Sequence, residues 1–297
     1  MTSSQEEFDV FWDSLDRELV AIPMDLTIEQ DHFYSQPEWF VYRMHYSGLD
    51  GYRLFAWLSV PRGSQSASLP ALLRMPDYGS VHDLIYTSLR HNAIVMNPTY
   101  RGQRHSDAKF QAEYPGLLTQ GIDRRESFVM LRVYADALRS LQALLAQDQG
   151  SVGDVALTGA GLGGALALAV AARRPQVKAV AADTPLALGH PEVLEIGSAY
   201  PLAELNDLLR VQPHHRDAVL ANSALLNPVK IAANVEAPVL LSLGRRDQGQ
   251  CPLAIGEEIA AALHQCDMRV YDGASEGGGH THGVVRAAWL REQLGLG

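Results

Sequence analysis

The sequence predicts an α/β protein: one domain over residues 1–297, with a mainly parallel sheet flanked by helices and an N-terminal extension. Two features of chain order indicate this fold class. Short apolar or β-branched runs alternate with helix-length segments, and one run leads through a glycine-rich turn into an alanine-rich helix. Because a crossover helix returns the chain to the end of the sheet at which the previous strand began, strands joined through helices lie parallel. With 297 residues the chain can bury a large core.

The strands are predicted at short runs rich in Val, Leu, Ile and Ala: 54–60, 69–75, 93–97, 154–158, 177–181, 239–243 and 268–271. The predicted helices are 125–147, 162–173, 253–265 and 283–294. The first two strands, joined by residues 61–68, are expected to form an antiparallel lead-in. Residues 1–45 predict an extension that wraps the body, and residues 186–227 an insertion over the sheet.

Composition and charge argue against several classes of protein. Lys and Arg number 24 against 34 Asp and Glu, a formal net charge of −10, whereas a nucleic-acid binder needs a basic surface. The same acidic balance disfavours binding to anionic membranes. The sequence has no apolar run of about 18 residues, the length needed to span a bilayer. The N-terminus lacks the basic start and apolar run of a secretory signal. We therefore expect a cytoplasmic protein with no nucleic-acid or membrane partner.

The cysteine and histidine pattern predicts no metal and no cofactor. Cys251 and Cys266 are too few for a disulfide framework or a cysteine zinc cage. The paired histidines, at 214 and 215 and at 280 and 282, lack the H-E-x-x-H spacing and the cysteine partners that zinc sites use.

The turn at residues 159–164, Gly-Ala-Gly-Leu-Gly-Gly, is the most informative segment. A strand that enters a helix through such a turn is typical of the nucleophile elbow G-x-S-x-G, in which a serine stands at a strained corner. Here Gly161 stands at the nucleophile position and supplies no nucleophile. Asp247, just beyond a strand, matches the acid of a Ser…Asp…His triad, and the loop after the last strand carries Ser275 at the place of the base.

Two other interpretations of this turn stay open. A dinucleotide-binding turn, G-x-G-x-x-G, belongs on a first strand, whereas this one is in mid-chain and no acidic residue clearly ends the next strand. The turn could also serve packing alone.

With these residues stated, the chain resembles the acetyl xylan esterase and cephalosporin C deacetylase family of α/β hydrolases over nearly its whole length. The matching segments are 11–12, 51–61, 78–79, Arg101-Gly102-Gln103, 116–123, 132–139, 227–244, Asp247 with 251–252, and 276–279. The resemblance implies an α/β-hydrolase fold and an oxyanion hole made by the backbone N–H groups of Tyr78 and Leu162. It also implies a structural role for the Arg-Gly-Gln signature and assembly as a homohexamer.

The departures from the family pattern fall on the chemistry. The family's elbow serine is Gly161, its His-Glu-Gly-Gly-Gly begins here with Ser275, and its His-Gly-Tyr is Pro76-Asp77-Tyr78. Asp247 survives as the triad acid, so two of the three catalytic side chains are absent.

Two functions follow as hypotheses, and whether the protein is an enzyme stays open. The first is a degenerate family member, inactive as a serine esterase, that binds a small acetylated or anionic ligand in the old pocket, or a partner subunit. The alternative is a carboxylic ester hydrolase on short acetyl esters that activates water with a relocated base, His280 or His282, aimed at Asp247.

Overall fold

The computed structural model, which describes residues 5–63, 68–79, 81–84, 87–272 and 277–296, is built on a nine-stranded sheet. In chain order the strands are β1 Thr27–Gln30, β2 Trp39–Ser47, β3 Arg53–Pro61, β4 Leu69–Arg74, β5 Ile94–Pro98, β6 Val152–Ala160, β7 Val177–Asp183, β8 Val239–Gly244 and β9 Cys266–Tyr271. Their order across the sheet is β1-β2-β3-β5-β4-β6-β7-β8-β9. The pairs from β1 through β3 to β5 are antiparallel, and every later pair is parallel. The mainly parallel sheet predicted from the sequence is therefore confirmed.

Helices cover both faces of this sheet. They are α1 Gln5–Ala21, α2 Val129–Ala146, α3 Leu162–Arg173, α4 Val193–Ile196, α5 Ala203–Val211, α6 Arg216–Ser223, α7 Pro228–Ala232, α8 Leu253–Ala262 and α9 Gly279–Gln293. Helix α3 begins and ends where the sequence predicts. It is buried along almost its whole length against β6, β7, α2 and α7, because its small apolar residues present no polar face.

The predicted antiparallel lead-in is wrong in its pairing. Strands β3 and β4 are not neighbours, since β5 lies between them. Instead β3 pairs along its whole length with β2, from Trp39 opposite Pro61 to Ser47 opposite Arg53. The turn between β2 and β3 takes left-handed backbone at Asp50 (φ 60°) and Gly51 (φ 63°), which closes this hairpin. The sequence pattern does not predict β2, the strand that forms backbone hydrogen bonds with β3.

Residues 1–45 contribute α1, β1 and most of β2. Trp12 anchors α1: its side chain is 2% exposed, its indole N–H donates to the carbonyl of Leu225 (3.1 Å), and its ring contacts that of Tyr134. Residues 186–227 carry α4, α5 and α6, and α5 reaches the loop around Leu117. This last contact bears on the shape of the site described below.

A buried ion pair fixes the loop after β5 to α2. The Arg101 guanidinium donates to both carboxylate oxygens of Asp136 at 2.9 and 2.8 Å, and the Arg101 backbone N–H donates to the same carboxylate at 3.0 Å. Arg101 is 4% exposed and Asp136 1%. The ring of Tyr52 lies 4.7 Å from the guanidinium carbon. Removing either partner leaves an uncompensated charge in the interior.

We expect Asp136→Ala to lower the free energy of unfolding by about 3–5 kcal/mol, because it leaves buried Arg101 with only the exposed Asp50 carboxylate, 4.0 Å away, as a counter-ion. Urea denaturation of the purified protein measures this difference. The matched control is Glu195→Ala, which removes an exposed carboxylate 2.8 Å from Arg216, and it is expected to cost about 1 kcal/mol or less. Equal losses in the two variants would contradict the argument from burial.

Candidate functional site

Strand β6 and helix α3 meet at Gly161 in a sharp elbow. Gly161 has φ 53° and ψ −120°, a conformation that glycine adopts far more readily than other residues. The glycines on either side are required by space. A Cβ on Gly159 would lie 2.3 Å from the carbonyl carbon of Gly163, and one on Gly163 would lie 2.6 Å from the carbonyl oxygen of Met75. The local backbone is therefore that of a nucleophile elbow whose central side chain is missing.

The backbone donors predicted to form an oxyanion hole both bind the carboxylate of Asp77. Its Oδ1 accepts the N–H of Leu162 at 2.9 Å and the N–H of Tyr78 at 2.6 Å. A Cβ built on Gly161 would lie 2.3 Å from the same oxygen. Asp77 thus fills both the hole and part of the space that a nucleophile's side chain would need.

The family pattern marks Asp77 as a departure but does not predict this position for its carboxylate. The available signal was an acidic residue directly before the Tyr of the hole, from which a short side chain can reach the N–H of the next residue.

The signature Arg101-Gly102-Gln103 lies beneath the loop that carries Asp77. The side-chain amide of Gln103 donates to the carbonyls of Asp77 (3.1 Å) and Gly79 (3.0 Å). The Tyr100 hydroxyl lies 3.2 Å from the same two carbonyls. Gly102 has φ 88°, and a Cβ there would meet the Phe110 ring at 2.9 Å. These contacts hold residues 77–79 in one position over the elbow.

Asp247, the predicted triad acid, is turned toward its own loop. It is 5% exposed. One carboxylate oxygen accepts the backbone N–H groups of Gly249 and Gln250, both at 2.9 Å, and the other accepts that of Cys251 at 3.0 Å. Ser275, at the predicted base position, lies outside the described residues.

The structure does not bring the two candidate substitute bases to Asp247. His282 is 1% exposed, and its Nδ1 is 2.9 Å from the Tyr271 hydroxyl. Its Nε2 lies 3.0 Å from Asp183 Oδ1, close enough for an ion pair but off the line of a hydrogen bond. His280 is exposed on the first turn of α9. The cause is that α9 begins at Gly279, before the predicted start at 283, so both histidines are helical and His282 faces the sheet.

Asp183 is the acidic residue that the sequence analysis missed. Strand β7 continues to Asp183 rather than ending at 181, so an acid does end the strand after the elbow. Its Oδ1 accepts the Ser242 hydroxyl at 3.0 Å, and Arg286 donates to its Oδ2. The carboxylate is thereby occupied by side chains of β8 and α9, which leaves the dinucleotide interpretation without support from it.

A cavity of about 600 Å³ opens beside the hole. Its lining residues are Tyr78, Gly79, Tyr100, Arg101, Gly102, Asp107, Phe110, Gln111, Ala112, Glu113, Tyr114, Pro115, Gly116, Leu117 and Tyr200. Tyr78 therefore belongs to both features: it lines the cavity, and its N–H is one donor of the hole.

Glu204 of α5 ties this cavity to the hole. It is 1% exposed. The Tyr78 hydroxyl donates to its Oε1, and the Leu118 N–H donates to its Oε2 at 3.0 Å. The Tyr200 hydroxyl donates to that of Tyr78 at 3.0 Å. A Cβ on Gly116 would lie 2.1 Å from Glu204 Oε1, so glycine is required there. Burial is the main cause that raises the pKa of Glu204.

Within the part of the chain that the structure describes, no group of three His, Cys, Asp or Glu side chains could hold a metal ion. Among the described helices, none has the length and apolar character needed to cross a bilayer.

The comparison with protein families decides the chain's relationship. Residues 1–293 match the family described as acetyl xylan esterase (AXE1). The chain belongs to the acetyl xylan esterase family. Acetyl esterase Axe7A of Xylanibacter ruminicola is 21% identical over 274 residues, which are 84% of this chain and 58% of that protein. This member of the acetyl xylan esterase family thus spans a little over half the length of that relative.

Two solved structures share the fold. The acetyl xylan esterase from Paenibacillus sp. R4 superposes with a TM-score of 0.87 at 23% identity, covering 98% of this chain and 96% of that one. Acetyl xylan esterase 1 from Thermoanaerobacterium sp. JW/SL YS485 superposes at 0.83 with 19% identity, covering 98% and 95%. The chain therefore has the α/β-hydrolase fold that the sequence predicts.

Glu204→Gln is expected to gain stability relative to the parent as the pH rises. Because the folded-state pKa of Glu204 is raised, the stability this group contributes is fully present below about pH 4.5 and is lost as the pH rises through the folded-state pKa. The amide keeps the shape without the charge. Urea unfolding of both proteins between about pH 4.5 and 8 measures the difference.

The control for this experiment is Glu236→Gln, at an exposed position. Its stability difference from the parent should stay constant over the same range. A Glu204→Gln difference that is equally constant would show that the charge of Glu204 costs nothing in the folded state.

Proposed function

We propose that this member of the acetyl xylan esterase family does not act as a serine esterase and that it keeps the cavity beside Tyr78 as a ligand-binding site. One observation carries the proposal: the Asp77 carboxylate lies on the Leu162 and Tyr78 N–H groups, beside an elbow whose centre is Gly161. Acyl transfer needs a nucleophile and donors aimed at the developing oxyanion. Gly161 supplies no nucleophile, and the donors already bind the Asp77 carboxylate.

The same observation narrows the ligand. An anion, one of the classes that the sequence left open, would have to displace Asp77 from the hole. We therefore favour a ligand that lies in the cavity without entering the hole. The relatives named above are acetyl and acetyl xylan esterases, so an acetylated saccharide that is bound and not hydrolysed is one candidate. Hexameric assembly, which the family resemblance implies, and a cytoplasmic location, which the sequence predicts, stay part of the proposal.

The water-using hydrolase is the second candidate, and the site geometry favours it less. It needs an imidazole that Asp247 orients. This imidazole must also lie next to a water beside the oxyanion hole, so that it can activate that water. Among the described residues, no imidazole is hydrogen-bonded to Asp247, and His282 contacts Asp183 and Tyr271 instead. With Asp77 in the hole, an ester carbonyl would also lack its donors.

Hydrolysis of p-nitrophenyl acetate tests the proposal. We expect the parent at the buffer background. We also expect Gly161→Ser/Ser275→His to stay there, because a Cβ at position 161 meets Asp77 and the hole stays filled. Adding Asp77→Gly empties the hole and removes the nearest obstacle, which leaves the Gln250 amide, 2.8 Å from that Cβ, to turn aside. We expect the triple variant to exceed the double variant by about 100-fold or more, the range for a restored oxyanion donor.

Asp77→Asn in the same Gly161→Ser/Ser275→His background is the matched control. It keeps the volume and an oxygen that accepts the two N–H groups, so it should stay at background. Steady turnover by the parent would overturn the proposal. If His280→Ala or His282→Ala then abolished that turnover, the relocated-base hydrolase would take its place.

A further inference from the structure

Aromatic side chains form much of the cavity wall. Tyr78 and Tyr200 stand at 89° to each other with ring centroids 5.4 Å apart, so they form two walls of a corner. Tyr200 is 63% exposed and Tyr114 is 72% exposed. Large apolar surfaces left open beside a cavity are typical of binding sites rather than of packing. The Tyr78 ring is held in place through its hydroxyl by Glu204.

Apart from Arg101, the charged side chains of the wall are acidic. Asp107 and Glu113 both line the cavity, and neither makes an ion pair within the described part of the chain. Arg101 also lines it, but its guanidinium is 4% exposed and bound by Asp136. Outside the lining, Arg210 lies 3.5 Å from the Tyr114 hydroxyl and is paired with Asp207 at 3.1 Å. The unpaired charge on the wall is therefore negative.

The elbow adds to this negative charge. Asp77 is exposed, and it directly precedes Tyr78 in the chain, a residue that lines the cavity. The Leu162 and Tyr78 N–H groups that could attract an anion already bind its carboxylate. An anion entering the cavity thus meets acids on two sides and no available donor pair at the hole.

We propose that the cavity binds an organic cation, a primary or quaternary ammonium group. The faces of Tyr78, Tyr114 and Tyr200 contact the cation, since the ring quadrupole attracts positive charge over its face. Asp107 and Glu113 supply the counter-charge. This assignment rests on the proposed function, because it concerns the same non-hydrolytic cavity, and it prefers a cationic ligand to the neutral acetylated saccharide considered there.

Isothermal titration of the full chain with choline tests the assignment, with 3,3-dimethyl-1-butanol as the neutral probe of the same shape. We expect one choline per chain and binding of the alcohol at least about 10-fold weaker, because only choline gains from the rings and the acids. Binding of choline should weaken as salt is added, since part of it comes from partly exposed charges.

Substitutions locate the site. Tyr200→Ala should weaken choline binding by about 5-fold or more, and Tyr200→Phe, which keeps the ring face, should retain most of it. Asp107→Asn and Glu113→Gln should each weaken binding. Asp123→Asn is the matched control, because that acid pairs with Arg124 and does not line the cavity. Thermal unfolding of each variant checks that the fold is kept.

The outcomes separate the two proposals. Equal affinity for choline and the alcohol would overturn the cation assignment while leaving a non-hydrolytic binding cavity. Failure of both to bind at about 10 mM, the weak end of specific recognition, would also overturn it. Choline binding that Tyr200→Ala and Asp107→Asn leave unchanged would place the cation elsewhere and overturn it as well. Steady ester hydrolysis by the parent would instead overturn the proposed function.

Discussion

The contact between the Asp77 carboxylate and two backbone N–H groups is the constraint on which the geometry of this α/β-hydrolase site depends. Both hydrogen bonds are charge-assisted, and one donor lies on the first residue of α3, where the helix dipole also favours negative charge. The donors belong to the backbone, so the fold preserves them whatever side chains surround them. Gly161 and Asp77 then depend on each other, because a side chain at 161 would occupy the space of the Asp77 oxygen. The absence of a side chain at 161 and the position of the Asp77 carboxylate are therefore sterically linked.

The frame that holds this contact is shared with the cavity. On one side, Gln103 and Tyr100 bind the carbonyls of residues 77 and 79, and the Arg101–Asp136 pair fixes their loop to α2. On the other side, Glu204 binds the Tyr78 hydroxyl and the N–H of Leu118. Tyr78 therefore donates its N–H to the hole and its ring to the cavity wall. A change in either support would move the hole and the cavity together.

The elbow could be predicted from sequence because its geometry requires glycines at fixed places, which leave a readable pattern. The start and end of α3 follow from the same turn and from its alanine-rich run. Strand β2 mixes His, Arg and aromatic residues and was missed, although it decides where β3 pairs. The direction in which His282 points depends on where α9 begins. An earlier start of this helix places His280 and His282 in the helix and not in the predicted loop. The Asp77–Tyr78 contact is local, but the contact of Asp77 with the Leu162 N–H joins residues 85 positions apart, and no spacing along the chain indicates it.

The charge of the site is what the substitutions change most. An oxyanion hole is a set of donors arranged for negative charge that develops during reaction, and it acts because those donors are available at that moment. In this chain a carboxylate of the chain itself accepts both N–H groups, so the donors are satisfied before any ligand arrives. What the ligand meets is the exposed Asp77 carboxylate together with the acids of the cavity wall, within a chain of net charge −10. A scaffold suited to stabilising an anion therefore presents, at the same position, a surface whose field favours positive charge.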